Sequence, residues 1–163
     1  PQPGAFQVVV TPGYRETLGL QLVEGRFFEE ADMAPDRQYF VVDESFARKF
    51  FPNGSAVGGH FSFGGRPERP EDWPTIIGVV RDVPHNGVEE QSGNPFIYRL
   101  LQAGRPGGLT MFMRADRPTS EVIAALRDKV RGIDPALPLF EAGSLADAVG
   151  SSFDNRRAVM LLL

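Results

Sequence analysis

The strand–helix unit over residues 39–52 constrains the fold more than any other feature of the sequence. Tyr39-Phe40-Val41-Val42 is a run of aromatic and β-branched residues typical of a strand, and Asp43, which follows directly, belongs to the residue types that cap helices. Phe46, Phe50 and Phe51 then form an apolar stripe at helical spacing, and Pro52 ends it. The sequence predicts a strand that runs straight into a capped helix.

A similar unit comes first in the chain. Phe6 to Val10 is predicted to be a strand. A short helix is expected to follow it, with Thr11 as the cap and Pro12 at the first helical position, and to end at Gly19.

The same alternation returns near the end of the chain. Leu109 to Arg114 and Leu137 to Ala142 are predicted strands. The helix between them is expected to be capped near Thr119 or Ser120 and to close at Gly132, and one face of it carries Ile123, Leu126 and Val130.

Between these units the chain consists of short β-rich pieces separated by turn residues. The predicted strands are Gly59 to Phe63, Thr75 to Val83 and Phe96 to Leu101, and Gly64 to Asp72 has the composition of an exposed, mobile hairpin loop. Because no glycine-rich phosphate loop follows any predicted strand, an α+β fold is favoured over a doubly wound nucleotide-binding one. We expect β–α–β units on a mixed sheet, with a β-rich part inserted between them.

Composition and charge exclude several classes of function. The chain has no cysteine, which excludes thiol catalysis and Cys-ligated metal centres. Its net charge of −4 gives no electrostatic reason to expect nucleic acid as a partner.

No residue set has the pattern of an active site, a cofactor site or a metal site. The two histidines lie outside any triad signature. Asp82, His85, Glu89 and Glu90 fit a solvated loop better than a metal site, because they offer one imidazole and no helical spacing. The acidic stretch from Glu24 to Asp36 lacks the ligand pattern of a calcium loop, so we expect it to be solvated.

Two exposed segments are instead candidates for contact with a partner. The loop from Gly64 to Trp73 offers Arg66, Arg69 and Trp73, and the acidic stretch offers Glu29 and Glu30. For Trp73, packing onto the base of its own loop is the commoner alternative.

Four segments, in order, resemble the MacB-like periplasmic core domain that precedes the FtsX-like permease region of many bacterial ABC transporters. They are Val10-Thr11-Pro12-Gly13-Tyr14 with Thr17 to Leu20 and Glu24-Gly25-Arg26-Phe27-Phe28; Val41 to Pro52; Val57-Gly58-Gly59; and Ile76-Ile77-Gly78-Val79-Val80-Arg81-Asp82-Val83.

The resemblance implies a porter-like α/β subdomain of residues 1–52 plus 109–155, with an inserted β-rich subdomain of about 53–108. It implies a non-catalytic extracytoplasmic domain of an ABC-type permease in the bacterial inner membrane. The implied partners are a second permease copy, a cytoplasmic ATPase, and a periplasmic adaptor or exported cargo.

Two further interpretations stay open. A free-standing domain that binds a small molecule or a peptide is the alternative function, and an enzyme of unrecognised type comes third. The apolar run 158–163 is interpreted as the start of a transmembrane helix, with an ordinary core-packing helix as the alternative.

Overall fold

The computed structural model describes residues 4–34, 38–61, 69, 73–83, 94–101 and 109–148. Two compact units divide the chain, residues 1–112 and residues 113–163. The first contains strands β1 (Phe6–Val10), β2 (Leu22–Gly25), β3 (Tyr39–Asp43), β4 (Thr75–Val80) and β5 (Phe96–Leu100), helices α1 (Tyr14–Leu18) and α2 (Glu44–Phe50), and a 3-10 helix (Glu30–Met33). The second contains helix α3 (Thr119–Ile133).

The five strands form one mixed sheet in the order β1-β5-β3-β4-β2. The central strand β3 runs parallel to β4 and antiparallel to β5, and the edge strands β1 and β2 pair with β5 and β4 respectively. Val41 and Val42 on β3 have no exposed surface. A strand that is apolar on both faces needs cover on both, so β3 requires this central position. The expected α+β fold on a mixed sheet is confirmed.

Each face of the sheet carries its own hydrophobic core. Val41 and Tyr98 lie on one face, beneath α1 and the segment that carries Leu20, Phe27 and Phe28. The other face holds Phe40, Val42 and Ile97 beneath the phenylalanine stripe of α2 and the segment that follows it, with Ala56 and Phe61. The predicted stripe is confirmed: the Phe46 ring lies 4.5 Å from that of Phe50 and 6.4 Å from that of Phe51, centroid to centroid.

Two glycines let β2 and β4 approach each other closely. Gly25 pairs with Gly78 and has a φ of 70°, a left-handed conformation that favours glycine. A Cβ atom on Gly78 would collide with the backbone carbonyl of Arg26, and one on Gly25 would collide with the carbonyl of Ile77. The backbone N–H of Arg26 donates to that Ile77 carbonyl at 2.9 Å. The edge strand β2 therefore depends on these two glycines.

The short helices differ slightly from expectation. Helix α1 begins at Tyr14, one residue after Gly13, and has no side-chain cap, so the expected Thr11 cap is wrong; the Thr11 carbonyl accepts from the Tyr14 N–H instead. Gly19 ends α1 in the left-handed conformation, as predicted. Helix α3 begins at Thr119 after Pro118 without a side-chain cap, so the expected cap is wrong, and it continues through Gly132 to Ile133.

Three predicted strands do not form as expected. Residues 109–114 and 137–142 are not strands, and Leu109 and Phe140 are each 77% exposed. A strand needs a neighbour for its backbone groups, and the described residues supply none to either segment. Of the predicted strand 59–63, the described part makes a single bridge, from His60 to Thr75.

The predicted strands near 75 and 96 do form, but as central members of the common sheet. β4 lies between β3 and β2, and β5 lies between β1 and β3. Ile76 and Val80 on β4 and Tyr98 on β5 have no exposed surface. The division into 1–52 plus 109–155 and an inserted 53–108 stays a prediction.

Other sequence predictions fall outside the described residues. The apolar run 158–163 is one of them, and the predicted mobile loop 64–72 is described only at Arg69. Within the described residues, no helix has both the length and the apolar character needed to cross a membrane.

We expect Gly78→Ala to lower the free energy of unfolding of the chain by about 2 kcal/mol, because the added methyl group pushes β2 away from β4. Gly54→Ala is the matched control. A Cβ atom at Gly54 meets nothing within 4 Å, so its effect should stay within about 0.5 kcal/mol. Urea denaturation of both variants measures the difference, and equal losses would contradict the close-approach explanation.

Candidate functional site

The sheet presents two polar ends. Because β3 and β4 are parallel, both begin at one end of the sheet and both finish at the other. We name the first the Arg26 end, since the Arg26 guanidinium lies 5.5 Å from the centre of the Tyr39 ring at the start of β3. The other is the Asp43 end, after the last residue of β3.

An ion pair between Arg26 and Asp32 organises the Arg26 end. Both guanidinium Nη atoms donate to the Asp32 carboxylate, with an Nη2–Oδ1 distance of 2.9 Å. Asp32 is 3% exposed, and its carboxylate also accepts from the Glu29 N–H at 2.9 Å. The hydrogen bond to Asp32 raises the pKa of Arg26. The two parallel donors fix the geometry of the turn that joins β2 to the 3-10 helix.

This pair corrects the expectation of a wholly solvated acidic stretch. Asp32 is buried because Arg26 and the Glu29 N–H satisfy its oxygens, whereas Glu29 and Glu30 are exposed. The turn therefore holds two acidic side chains in a fixed place at the sheet end.

The other candidate contact residues are only partly described. Trp73 is half-buried two residues before β4, which places it at the Arg26 end, and Arg69 is exposed. Arg66 lies outside the described residues. The structure thus brings Glu29, Glu30 and Trp73 to one end of the sheet, and their role in partner contact stays a prediction.

Asp43 dominates the opposite end. Its Oδ1 atom accepts from the Phe46 N–H at 2.7 Å, which confirms it as the cap of α2. Its carboxylate also accepts from the backbone N–H of Phe96, where β5 begins. The side chain is enclosed, with 3% of the residue exposed, and burial raises the pKa of Asp43 to about 6.

A second carboxylate, Asp82, reaches the same helix end from the residues after β4. It accepts from the Ser45 N–H at 2.8 Å, from the Ser45 hydroxyl at 2.9 Å, and from Arg48 Nη2 at 2.7 Å. Burial acts to raise its pKa, but the hydrogen bonds from Arg48 and Ser45 outweigh burial and leave the pKa below its usual range. Two carboxylates therefore satisfy separate N–H groups in the first turn of α2.

The contacts at this end cap α2 and join it to the ends of β3 and β4. The Ser45 hydroxyl donates to a carboxylate, so no imidazole base activates it. Across the described residues, no three or more acidic or histidine side chains form a group that could hold a metal ion. Of the four residues weighed for metal, Asp82 is engaged with α2, and His85, Glu89 and Glu90 lie outside the described residues.

The sequence profile of the MacB-like periplasmic core domain family matches residues 3–133. The chain belongs to this family. One curated relative is the macrolide export ATP-binding/permease protein MacB of Aggregatibacter actinomycetemcomitans, which is 26% identical over 156 residues, or 92% of this chain. The chain spans 23% of that relative's length.

A solved structure agrees with the fold. The periplasmic region of MacB from Actinobacillus actinomycetemcomitans superposes with a TM-score of 0.56 at 20% identity, covering 78% of this chain and 56% of that one. At this identity the likeness concerns the fold alone. It supports the MacB-like architecture of the sheet and its helices.

Sequence reasoning missed two of the contacts that build these ends. The resemblance included Arg26, but no local pattern pairs an arginine with an aspartate six residues later across a turn. Asp82 lies 37 residues from Ser45, so only the parallel pairing of β3 and β4 brings them together. Asp43 was found because a helix cap is a local signal.

We expect Asp32→Asn to lower the free energy of unfolding by about 2 kcal/mol, because it leaves Arg26 with a neutral partner at a buried site. The loss is below that of a fully buried pair, since the Arg26 side chain is 41% exposed. Glu30→Gln, which removes one exposed charge from the same turn, is the control and should change stability by less than about 0.5 kcal/mol. Similar losses in both variants on urea denaturation would contradict the importance of the ion pair.

Proposed function

We propose that this chain is the non-catalytic extracytoplasmic domain of an ABC-type permease subunit and that it couples ATPase-driven motion to extracytoplasmic partners or cargo. The observation that carries the proposal is the family match over residues 3–133. The curated relative is named as both an ATP-binding and a permease protein, so the driving ATPase is proposed to lie outside this chain. The apolar run 158–163 is proposed to lead into the membrane.

The architecture of the first unit suits a body that passes on a displacement. One sheet is held between two hydrophobic cores, and its central strand is hydrogen-bonded on both sides. Such packing transmits strain because interiors have low compressibility. A force applied to one strand therefore reaches the ends of the sheet with little loss to internal rearrangement.

The Arg26 end is the proposed contact surface. The Arg26–Asp32 pair holds the 3-10 helix, the exposed Glu29 caps that helix by accepting from the Asp32 N–H, and Glu30 is exposed beside it. A partner with a basic surface would be attracted to this end, and electrostatic complementarity acts on the choice and speed of association. Trp73, half-buried at the same end, supplies the aromatic anchor that interfaces favour.

The test is Glu30→Arg in the full-length transporter. Reversal of an exposed charge should leave folding intact but weaken contact with a basic partner. We therefore expect export of the transporter's substrate to fall at least tenfold, while the rate of ATP hydrolysis measured without the partner is unchanged. Export from cells and ATP hydrolysis by the purified protein are the two measurements.

Glu16→Arg is the matched control, because it makes the same reversal at an exposed position on α1. It should export normally. Equal export by both variants and the wild type would contradict the Arg26 end as the contact surface. Detectable turnover of a substrate by the isolated chain would contradict its non-catalytic role.

A further inference from the structure

A single buried carboxyl group joins three elements at the Asp43 end. Asp43 is the last residue of β3, it caps α2 through the Phe46 N–H, and it accepts from the Phe96 N–H of β5. With 3% of the residue exposed, little water reaches it in the folded state. The contact between β3, α2 and β5 at this point, which we name the Asp43 joint, therefore depends on the ionisation of one side chain.

The charged groups around Asp43 do not neutralise it directly. Arg48, on α2, donates to Asp82 at 2.7 Å and to the Ser45 hydroxyl at 2.8 Å, so the nearby cation is committed to the other carboxylate. The remaining groups that face the joint are Glu44 on α2, Asp82 after β4 and Tyr98 on β5. Arg81, also after β4, has its Nε atom 3.9 Å from Glu44 Oε2. Asp43 is left with backbone N–H donors.

We propose that Asp43 makes this joint responsive to pH, so that the joint is tightest when the carboxyl group is protonated and loosens when it ionises. A buried carboxylate without a cation in contact is costly, and the two N–H donors offset only part of that cost. Opening the joint lets water reach the charge, so ionisation shifts the equilibrium towards the open form. The proposal is independent of the transport function.

The direction and the pH window follow from linkage. The pKa of Asp43 is raised to about 6 in the folded chain, against about 4 for an exposed aspartate. As the pH rises, Asp43 ionises in the open or unfolded form before it ionises in the folded form. The stabilisation of the folded form is therefore complete below about pH 4 and is lost as the pH rises to about 6. Asp82 acts in the opposite sense, because its pKa is lowered, and its contribution is lost only as the pH falls below about 4.

The experiment is urea denaturation of the 163-residue chain between pH 4.5 and pH 7.5, for the wild type and Asp43→Asn. The amide oxygen can still accept from the Phe46 N–H, but the variant cannot ionise. We expect the unfolding equilibrium constant of the wild type to rise roughly twentyfold more across this range than that of the variant. Glu44→Gln makes the same carboxyl-to-amide change at the neighbouring position and should keep the wild-type response.

Hydrogen exchange then locates the effect. The Phe46 amide, bonded to Asp43, should lose protection with rising pH, after correction for intrinsic exchange, by more than the Arg26 amide at the other end. If Asp43→Asn does not fold, a carboxyl-carbon NMR titration of the wild type replaces it, with an expected midpoint near 6. A wild-type response retained in Asp43→Asn, equal loss at both amides, or a midpoint below about 4 would each overturn the proposal.

Discussion

The burial of β3 on both faces is the constraint on which the rest of the first unit depends. Val41 and Val42 are adjacent, point to opposite faces and are both fully enclosed. The sheet must therefore carry a layer on each side, and β3 must have a hydrogen-bonded neighbour along each edge. Helix α1 with Leu20, Phe27 and Phe28 supplies one layer, and α2 with the segment 51–61 supplies the other. β4 and β5 satisfy the backbone of β3, and β1 and β2 extend the sheet on either side of them.

Where a buried strand ends, its last residue decides how the chain leaves the core. β3 ends on an aspartate, so the chain can turn directly into α2 with the cap already in place, but a carboxyl group is then held at the margin of the core. Asp82 satisfies a second N–H group at the start of α2, that of Ser45, and also accepts from Arg48. Arg48 therefore pairs with Asp82, and the Asp43 carboxylate has no cation in contact. The Arg26 end differs, because Arg26 and Asp32 satisfy each other within one turn.

Local signals in the sequence predicted the local structure and failed where distant segments decide. The Asp43 cap, the phenylalanine stripe of α2 and the Gly19 stop each depend on residues within one or two turns, and all three are confirmed. Residues 109–114 have strand-like composition, but composition does not provide a neighbouring strand, and they remain outside the sheet. The Ser45–Asp82 contact depends on a register set by the whole β3–β4 pair, which no short pattern records. Glu29 and Glu30 were placed correctly on the surface, whereas Asp32, two residues beyond Glu30, is buried.

The separation of the two ends gives the domain two independent properties. The turn after β2 is held by the Arg26–Asp32 ion pair and by the close pairing of β2 with β4 at Gly25 and Gly78. Its shape therefore does not depend on the state of α2. The Asp43 joint governs how firmly α2 is held against the sheet, and its contacts involve β3, β5 and the residues after β4. A change of protonation at the joint would therefore alter the stiffness of the layer beneath α2 and leave the proposed contact surface at the Arg26 end unchanged. Stiffness and surface can then be tuned by different residues, because no hydrogen bond described at one end shares a side chain with the other.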